Sequence, residues 1–224
     1  MENQEDIWNA IAKPWSTFRL KPLNEVVKFL ENKKGKILDL GCGSGRNFMK
    51  FKGTIYGVDF SEKMLEFAKE YSKKKKIKAK FVKAEIFDLP FKDNFFDSAV
   101  FIAVLHCIPT AEKREKTLLE LFRVLKPNSE ALITVWDKDQ ERFENSARQK
   151  AEPLATSPAS SQSKESFLPW KHDGKEYMRY YYLYDKKEIL DSLKKVGFEI
   201  IKISDKESPD GFYSKKNIDI IVKK

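Results

Sequence analysis

Cysteine is scarce: the 224 residues contain two, Cys42 and Cys107, and neither lies in a spaced cluster of Cys and His. That pattern offers no disulfide frame and no metal site, so both read as small packing residues near a loop. Long apolar runs are missing as well. Nothing approaches the roughly 18 apolar residues that a membrane span needs. The first ten residues, MENQEDIWNA, lack the basic start and apolar centre of a secretory signal. The expectation is a soluble, cytoplasmic protein with no membrane contact. What is present is a core. Hydrophobic residues make up 41% of the chain and charged residues 34%, a balance that fits one large globular domain over residues 1–224. Basic residues outnumber acidic ones, 43 to 34, for a net charge of +9. Such a surplus suits an anionic partner such as RNA, and equally occurs in lysine-rich or heat-adapted proteins. Charge by itself leaves the two open.

Periodicity predicts an amphipathic helix around residues 5–12, an irregular aromatic stretch, and a second helix that Pro22 can begin at its first turn. Residues 1–33 thus form a helical extension ahead of an alternating series. Strands are expected at 36–40, 54–59, 78–82, 96–103 and 131–136, with helices between them at 61–75, opened by Ser61, and at 111–126, stopped by Pro127. That alternation is the signature of βαβ units, hence of a doubly wound α/β fold around a parallel sheet. Two late strands, 198–203 and 218–222, are joined by too few residues for a crossover helix. They read as an antiparallel pair at one sheet edge.

One segment departs from this rhythm. Residues 145–166, NSARQKAEPLATSPASSQSKES, are rich in Ser, Ala and Pro and read as a mobile loop. The span that follows, FLPWKHDGKEYMRYYYLYDKKE, holds seven aromatic residues together with Arg179 and His172. Over 167–185 such density fits a lid or wall on the substrate side, or an aromatic hairpin packed on the core. His172, beside Asp173 and Gly174, reads as a turn residue.

The stretch KILDLGCGSG, residues 36–45, places Asp39 at the end of an apolar strand and then Gly41, Gly43 and Gly45. Glycines at the carboxyl end of the first strand let a ligand approach the backbone. A dinucleotide fingerprint needs G-x-G-x-x-G, and Arg46 stands where its last glycine would be. An acid beside a pyrophosphate would repel it, whereas the same acid favours an ammonium or sulfonium group. S-adenosylmethionine carries both. Asp59, at the end of the second strand, is placed to accept hydrogen bonds from both ribose hydroxyls. Glu85 is a candidate acceptor for the adenine amino group, with Ile86 beside the ring. Phe60 and Ile102 complete the residues expected to touch this cofactor.

The series DLGCGSG, VDFS, AEIFDLPF and FDSAV resembles class I S-adenosylmethionine-dependent methyltransferases over about residues 36–136. The resemblance implies a seven-stranded Rossmann-like sheet with a reversed last strand. A narrower likeness covers nearly the whole chain: IAKPWSTFRLKP, FIAVLHCIPTAEKREKTLLELFRVLKPNSEALITVWDKDQ and FLPWKHDGKEYMRYYYLYDKKEILDSLKKVGF are similar to the tRNA wobble-uridine carboxymethyl methyltransferases. This implies that a 5-carboxymethyl group on the wobble uridine of a tRNA anticodon stem-loop becomes its methyl ester. It also implies a heterodimer with a small zinc-binding activator protein, which adds a strand at KAKFV, residues 78–82. The chain departs from the family at His106-Cys107, where paired histidines are common, and at Gly211-Phe212-Tyr213, where N-W-Y is.

For that reaction a carboxylate oxygen attacks the sulfonium methyl in line, and needs no general base because it is already ionised. Positioning supplies most of the rate. Arg19 and Arg179 are the candidates to grip the carboxylate, since a guanidinium fork holds a planar anion better than an ammonium. His106 either hydrogen-bonds the substrate or caps the loop before Pro109. Trp136, Tyr180 and Trp170 either wall the pocket or pack the core. Two other functions use the same features: a methyltransferase for a small carboxylic acid or quinone, and a catalytically idle RNA-binding module.

Overall fold

The computed structural model describes residues 3–139, 164–204 and 217–224. Most of the Ser, Ala and Pro-rich segment, and Gly211-Phe212-Tyr213 with Lys215 and Lys216, lie outside them. Helix α1 (Gln4–Phe18) and α2 (Asn24–Leu30) precede an alternating series: β1 (Lys34–Leu40), β2 (Lys52–Asp59), α3 (Glu62–Lys75), β3 (Ala79–Lys83), β4 (Phe96–Ile102), α4 (Ala111–Val124) and β5 (Leu125–Trp136). A hairpin of β6 (Glu165–His172) and β7 (Lys175–Tyr182) then leads to α5 (Lys186–Val196), β8 (Glu199–Ser204) and β9 (Asn217–Lys223). Seven strands form one sheet in the order β3-β2-β1-β4-β5-β9-β8. The first five run parallel, and β9 pairs antiparallel with both β5 and β8. This is the doubly wound sheet with a reversed last strand.

Local chemistry explains most boundaries. Ser61 caps α3 by accepting the Met64 N–H, Thr110 caps α4 through Lys113, and Asp185 caps α5 through Glu188. Gly197 ends α5 in the left-handed conformation at φ 111°, where its N–H reaches the last carbonyls.

Three boundaries differ from expectation. Helix α1 runs through Pro14 to Phe18 instead of ending near residue 12, because Trp8 and Trp15 pack edge-on at 5.0 Å along one face and hold the turn together. Helix α2 starts at Asn24, with Pro22 just outside it. Helix α4 stops at Val124 and β5 begins at once, running through Pro127. A register shift opposite Phe96 and Ser98 accommodates that proline, which has no N–H to give to a ladder.

The aromatic span is a hairpin. His172 pairs with Lys175, and the two-residue turn Asp173-Gly174 has positive φ at both positions, 48° and 71°. That is the turn a right-twisted hairpin prefers. It joins the main sheet where Tyr184 donates its N–H to Trp136 O at 3.0 Å. On its other side, Gln4 ties it to α1: the side-chain amide accepts the Tyr180 N–H at 3.2 Å and donates to Met178 O at 3.4 Å.

Candidate cofactor and substrate site

The switch in strand order falls at β1, whose neighbours β2 and β4 lead the chain to opposite sides of the sheet. The loop after β1 folds over the end of β2, with the N–H groups of Gly41 and Cys42 both donating to Val58 O, at 2.8 and 2.9 Å. The three glycines do different work. A Cβ on Gly43 would meet only Trp15 Nε1, at 4.0 Å, so a side chain there would fill open space in front of the loop. Gly45 faces away, and a Cβ there would come within 3.2 Å of the Ala68 backbone in α3. Gly45 therefore sets helix packing and does not line the cavity, whereas Gly41 and Gly43 do.

That cavity, of roughly 330 Å³, is also lined by Asp59, Phe60, Glu85, Ile86 and Ile102, as the sequence led one to expect. Asp59 is fixed by the backbone: Oδ2 accepts the Gly43 N–H at 2.8 Å and Oδ1 the Ser61 N–H at 2.9 Å. An ionised carboxylate has about four acceptor sites, so capacity remains for a ribose hydroxyl. Burial lifts Asp59 to about 6, against the pull of those N–H donors. Asp39 is not among the residues lining the cavity; it is 2% exposed, and its Oδ2 has no hydrogen-bond partner. Burial first, and Asp59 second, push it up to about 7, with Arg46 opposing. A buried acceptor left without a partner beside a glycine cradle fits a cationic ligand group, and S-adenosylmethionine supplies one.

These carboxyls give cofactor affinity a pH dependence. Asp39 must be ionised to attract the cation and Asp59 to accept from the ribose hydroxyls, so affinity is expected to rise between about pH 5 and 8, by up to about tenfold per pH unit for each carboxyl still protonated, and then level off. Titration calorimetry at several pH values checks it. Affinity flat across that range would place the cation away from Asp39.

Sequence reading missed part of this lining. Trp8 and Trp15 of α1 reach the cavity, as does Asn47, whose Oδ1 is buried without a hydrogen-bond partner. An aromatic stretch before the first strand was the available signal for the tryptophans; nothing in the local pattern marks Asn47.

The substrate-side candidates separate into two groups. Arg19 lines the cavity with its guanidinium 3.7 Å above the Trp15 ring. Arg179, on β7 and 8% exposed, has its guanidinium 5.7 Å from the same ring and 5.0 Å from Trp170. Its Nη1 donates to Tyr181 Oη at 2.8 Å and its Nε finds no hydrogen-bond partner. No carboxylate among the described residues pairs with Arg179. Cys107, in the cavity wall, has its thiol pushed up to about 12 by burial, and the positive charges of Arg179 and Arg19 act against that rise. Arg19 lines the cavity, whereas Arg179 is not among its lining residues and acts on Cys107 in its wall through its charge.

His106, Trp136 and Tyr180 do not line this cavity. His106 is fully buried in the short 3₁₀ turn Leu105–Cys107, its Nδ1 accepts the Trp136 N–H at 3.2 Å, and its ring stacks on Trp136 at 4.5 Å. Burial drives its pKa down to about 3, so it stays neutral. Trp136 stacks in turn on Tyr181 at 4.4 Å. Tyr180 is 1% exposed and places its hydroxyl 3.0 Å from Pro109 O and 2.9 Å from Glu165 Oε1, bracing the hairpin against the loop before α4. All three are engaged in packing, through ring stacking or internal hydrogen bonds, although His106 Nε2 is buried without a hydrogen-bond partner.

A family model described as a methyltransferase domain matches residues 31–187. The chain belongs to this methyltransferase family. Among curated relatives, the tRNA (carboxymethyluridine(34)-5-O)-methyltransferase of Arabidopsis thaliana is 33% identical over 60% of this chain and 33% of its own length. The enzyme of the same description from Mus musculus is 32% identical over 60% of this chain and 20% of its own length. The chain thus spans a third or less of these two relatives. An Encephalitozoon cuniculi protein named as a methyltransferase is 28% identical over 85% of this chain and 84% of its own. Among solved structures, an S-adenosylmethionine-dependent methyltransferase from Methanosarcina mazei has the same fold, with a TM-score of 0.70 at 22% identity, covering 91% of this chain and 98% of the other. The cofactor of this methyltransferase is S-adenosylmethionine, and the loop, acids and cavity described above are the groups suited to hold it.

No helix among the described residues is long and apolar enough to cross a membrane. They contain no cluster of His, Cys, Asp and Glu able to hold a metal ion.

Proposed function

We propose that this methyltransferase esterifies the carboxylate of 5-carboxymethyluridine at the wobble position of a tRNA anticodon. The observation that carries the reading is the pair of guanidiniums on Trp15, one lining the cofactor cavity and the other buried without a carboxylate. Arg179, with no carboxylate pairing it among the described residues, leaves an anion as its complementary ligand. A carboxylate gripped by one fork keeps an oxygen free for in-line attack, and Asp39, Asp59 and the glycine loop fix the methyl donor opposite it. Bound S-adenosylmethionine supplies the electrophilic methyl. The rest is orientation and exclusion of water by Trp8, Trp15 and the hairpin. The relatives' printed activity adds weight to uridine over other carboxylates.

Methylation of tRNA carrying 5-carboxymethyluridine, set against small carboxylic acids and quinones, tests the proposal. On the tRNA, activity at limiting substrate is expected to fall steeply with added salt, since each phosphate contact contributes a slope of about one in log–log terms. Exposed lysines 73–76 and Lys194 supply such contacts; Lys195 is already paired with Glu115 at 2.6 Å. Small acids turned over faster than tRNA, with no salt dependence, would replace the reading with a small-molecule one. Tight tRNA binding without methyl transfer would leave an idle RNA-binding module.

The zinc-binding activator is part of the same proposal. Its support is the position of β3 at the sheet edge. Ile55 N–H bonds to Lys78 O and Ala84 N–H to Asp59 O, so by alternation the amides of Ala79, Phe81 and Lys83 point away from β2. A partner strand would meet them there. Phe81→Pro removes one outward donor and should abolish co-purification with the activator while S-adenosylmethionine still binds. Equal activity of the lone chain with and without the activator would remove the partner from the account.

A further inference from the structure

Four aromatic rings form a connected row that starts inside the cavity and leaves it. Trp8 meets Trp15 edge-on at 5.0 Å, Trp15 meets Trp170 of the hairpin at 5.5 Å, and Phe18 stacks on Trp170 with centroids 5.6 Å apart and planes 20° from parallel. Trp8 and Trp15 line the cavity, whereas Phe18 and Trp170 lie beyond it, and Phe18 is 41% exposed. Large rings this far out of a core are unusual unless they meet something. Cations accompany the row: Arg19 at its inner end, Arg179 beside Trp170, and the exposed Lys13, Lys21 and Lys171 along the adjoining chain. Rings alternating with cations match a single-stranded nucleic acid, whose bases stack while its phosphates seek positive charge.

We infer that Phe18 and Trp170 form a stacking ledge for the nucleobase next to the methylated nucleotide. The inference rests on the uridine reading above and adds how the neighbouring nucleotide is held. The two rings are already offset-stacked, so a base extends the stack and does not insert between them. Stacking requires only a π-face, so the ledge accepts any of the four bases and positions the strand without reading its sequence.

The test uses a single-stranded heptanucleotide with 5-carboxymethyluridine at its centre, bound to the enzyme in the presence of S-adenosylhomocysteine and followed by fluorescence anisotropy. Making one flanking position abasic should weaken binding to the parent enzyme about tenfold, and making the other abasic should cost less. Phe18→Ala and Trp170→Leu should each weaken binding of the intact strand about tenfold and erase the abasic penalty, since the same stack cannot be lost twice. S-adenosylhomocysteine affinity, measured on the same variants, should stay at the parental value, which shows the fold intact. Parental affinity for the strand in both variants, or an abasic penalty that persists in them, overturns the ledge. Loss of S-adenosylhomocysteine binding in both would make the rings structural and overturn it equally. A strand with plain uridine at its centre separates the two claims: if it binds as well as the carboxymethyl strand while the abasic cycle behaves as stated, the ledge stands and the carboxylate reading falls. A parent enzyme that binds none of these strands overturns both.

Discussion

Arg179→Ala is expected to lower methyl transfer to tRNA by about a hundredfold or more while cofactor affinity is unchanged, since loss of one orienting clamp costs on that order. The reasoning starts from burial. A guanidinium that is 8% exposed, with one hydrogen bond to a tyrosine hydroxyl and three aromatic rings as neighbours, is incompletely compensated in the free protein. On the proposed function a substrate carboxylate would complete it, concentrating binding energy where the reacting oxygen must be aimed. Arg19, stacked on Trp15, would hold the same anion from the cavity side. Arg179→Lys should rescue poorly, because an ammonium lacks the planar fork and does not stack on the rings as a guanidinium does. Single-turnover kinetics with saturating S-adenosylmethionine reads the effect on the chemical step. If Arg19→Ala and Arg179→Ala both methylate tRNA at the parental rate, the carboxylate is gripped elsewhere.

Asp39→Asn should move stability and affinity in opposite directions. Asp39 is buried with Oδ2 unpartnered, and its folded pKa of about 7 lies above its ordinary value of 3.8. The free folded chain therefore holds a proton there more tightly than the unfolded chain does. By linkage, this group's contribution to stability falls as pH rises from about 4 to about 7, and the folded state carries the full penalty above that window. Replacing the acid by its neutral isostere removes the penalty, so the ligand-free protein should gain about 1–3 kcal/mol near pH 8, with a correspondingly higher Tm. With Asp39 as the acid that attracts the cofactor's cation, the same change would remove that charge and present an amide in its place. Affinity for S-adenosylmethionine should fall about tenfold to a hundredfold, the worth of one charge-assisted hydrogen bond. A variant both less stable and unimpaired in binding would show that Asp39 is a structural acid.

Both variants draw on residues that were visible in the sequence, and the reason is instructive. The loop from Asp39 to Gly45 and the acids Asp59 and Glu85 follow strands in fixed order, so position along the chain translates directly into position at the switch point of the sheet. Arg19 and Arg179 were legible as cations, but their meeting on Trp15 was not. They stand 160 positions apart, and only the docking of α1 on β7 through Gln4 brings them together. His106 and Trp136 show the opposite failure. Polar and aromatic residues at strand ends look exposed in a sequence, yet here they stack with Tyr181 into one column in which His106 and Tyr181 are buried and Trp136 is half-buried. Gly45 is a milder case, since a glycine beside a ligand and a glycine beside a helix read alike until a Cβ is placed on them. The hairpin was an open alternative because seven aromatics suit a core, a wall or a lid, and the Asp173-Gly174 turn was the feature that marked it.

The account stands most directly on the identity of the product. Purified enzyme, with its activator if one is needed, would be incubated with S-adenosylmethionine labelled in the methyl group and tRNA carrying 5-carboxymethyluridine. The tRNA would then be digested to nucleosides and analysed by mass spectrometry before and after mild alkali. The expected result is label on the wobble uridine alone, as a methyl ester that alkali releases as methanol to regenerate the acid. Label that resists alkali, or that appears on another nucleoside while the carboxymethyl group stays free, would contradict it.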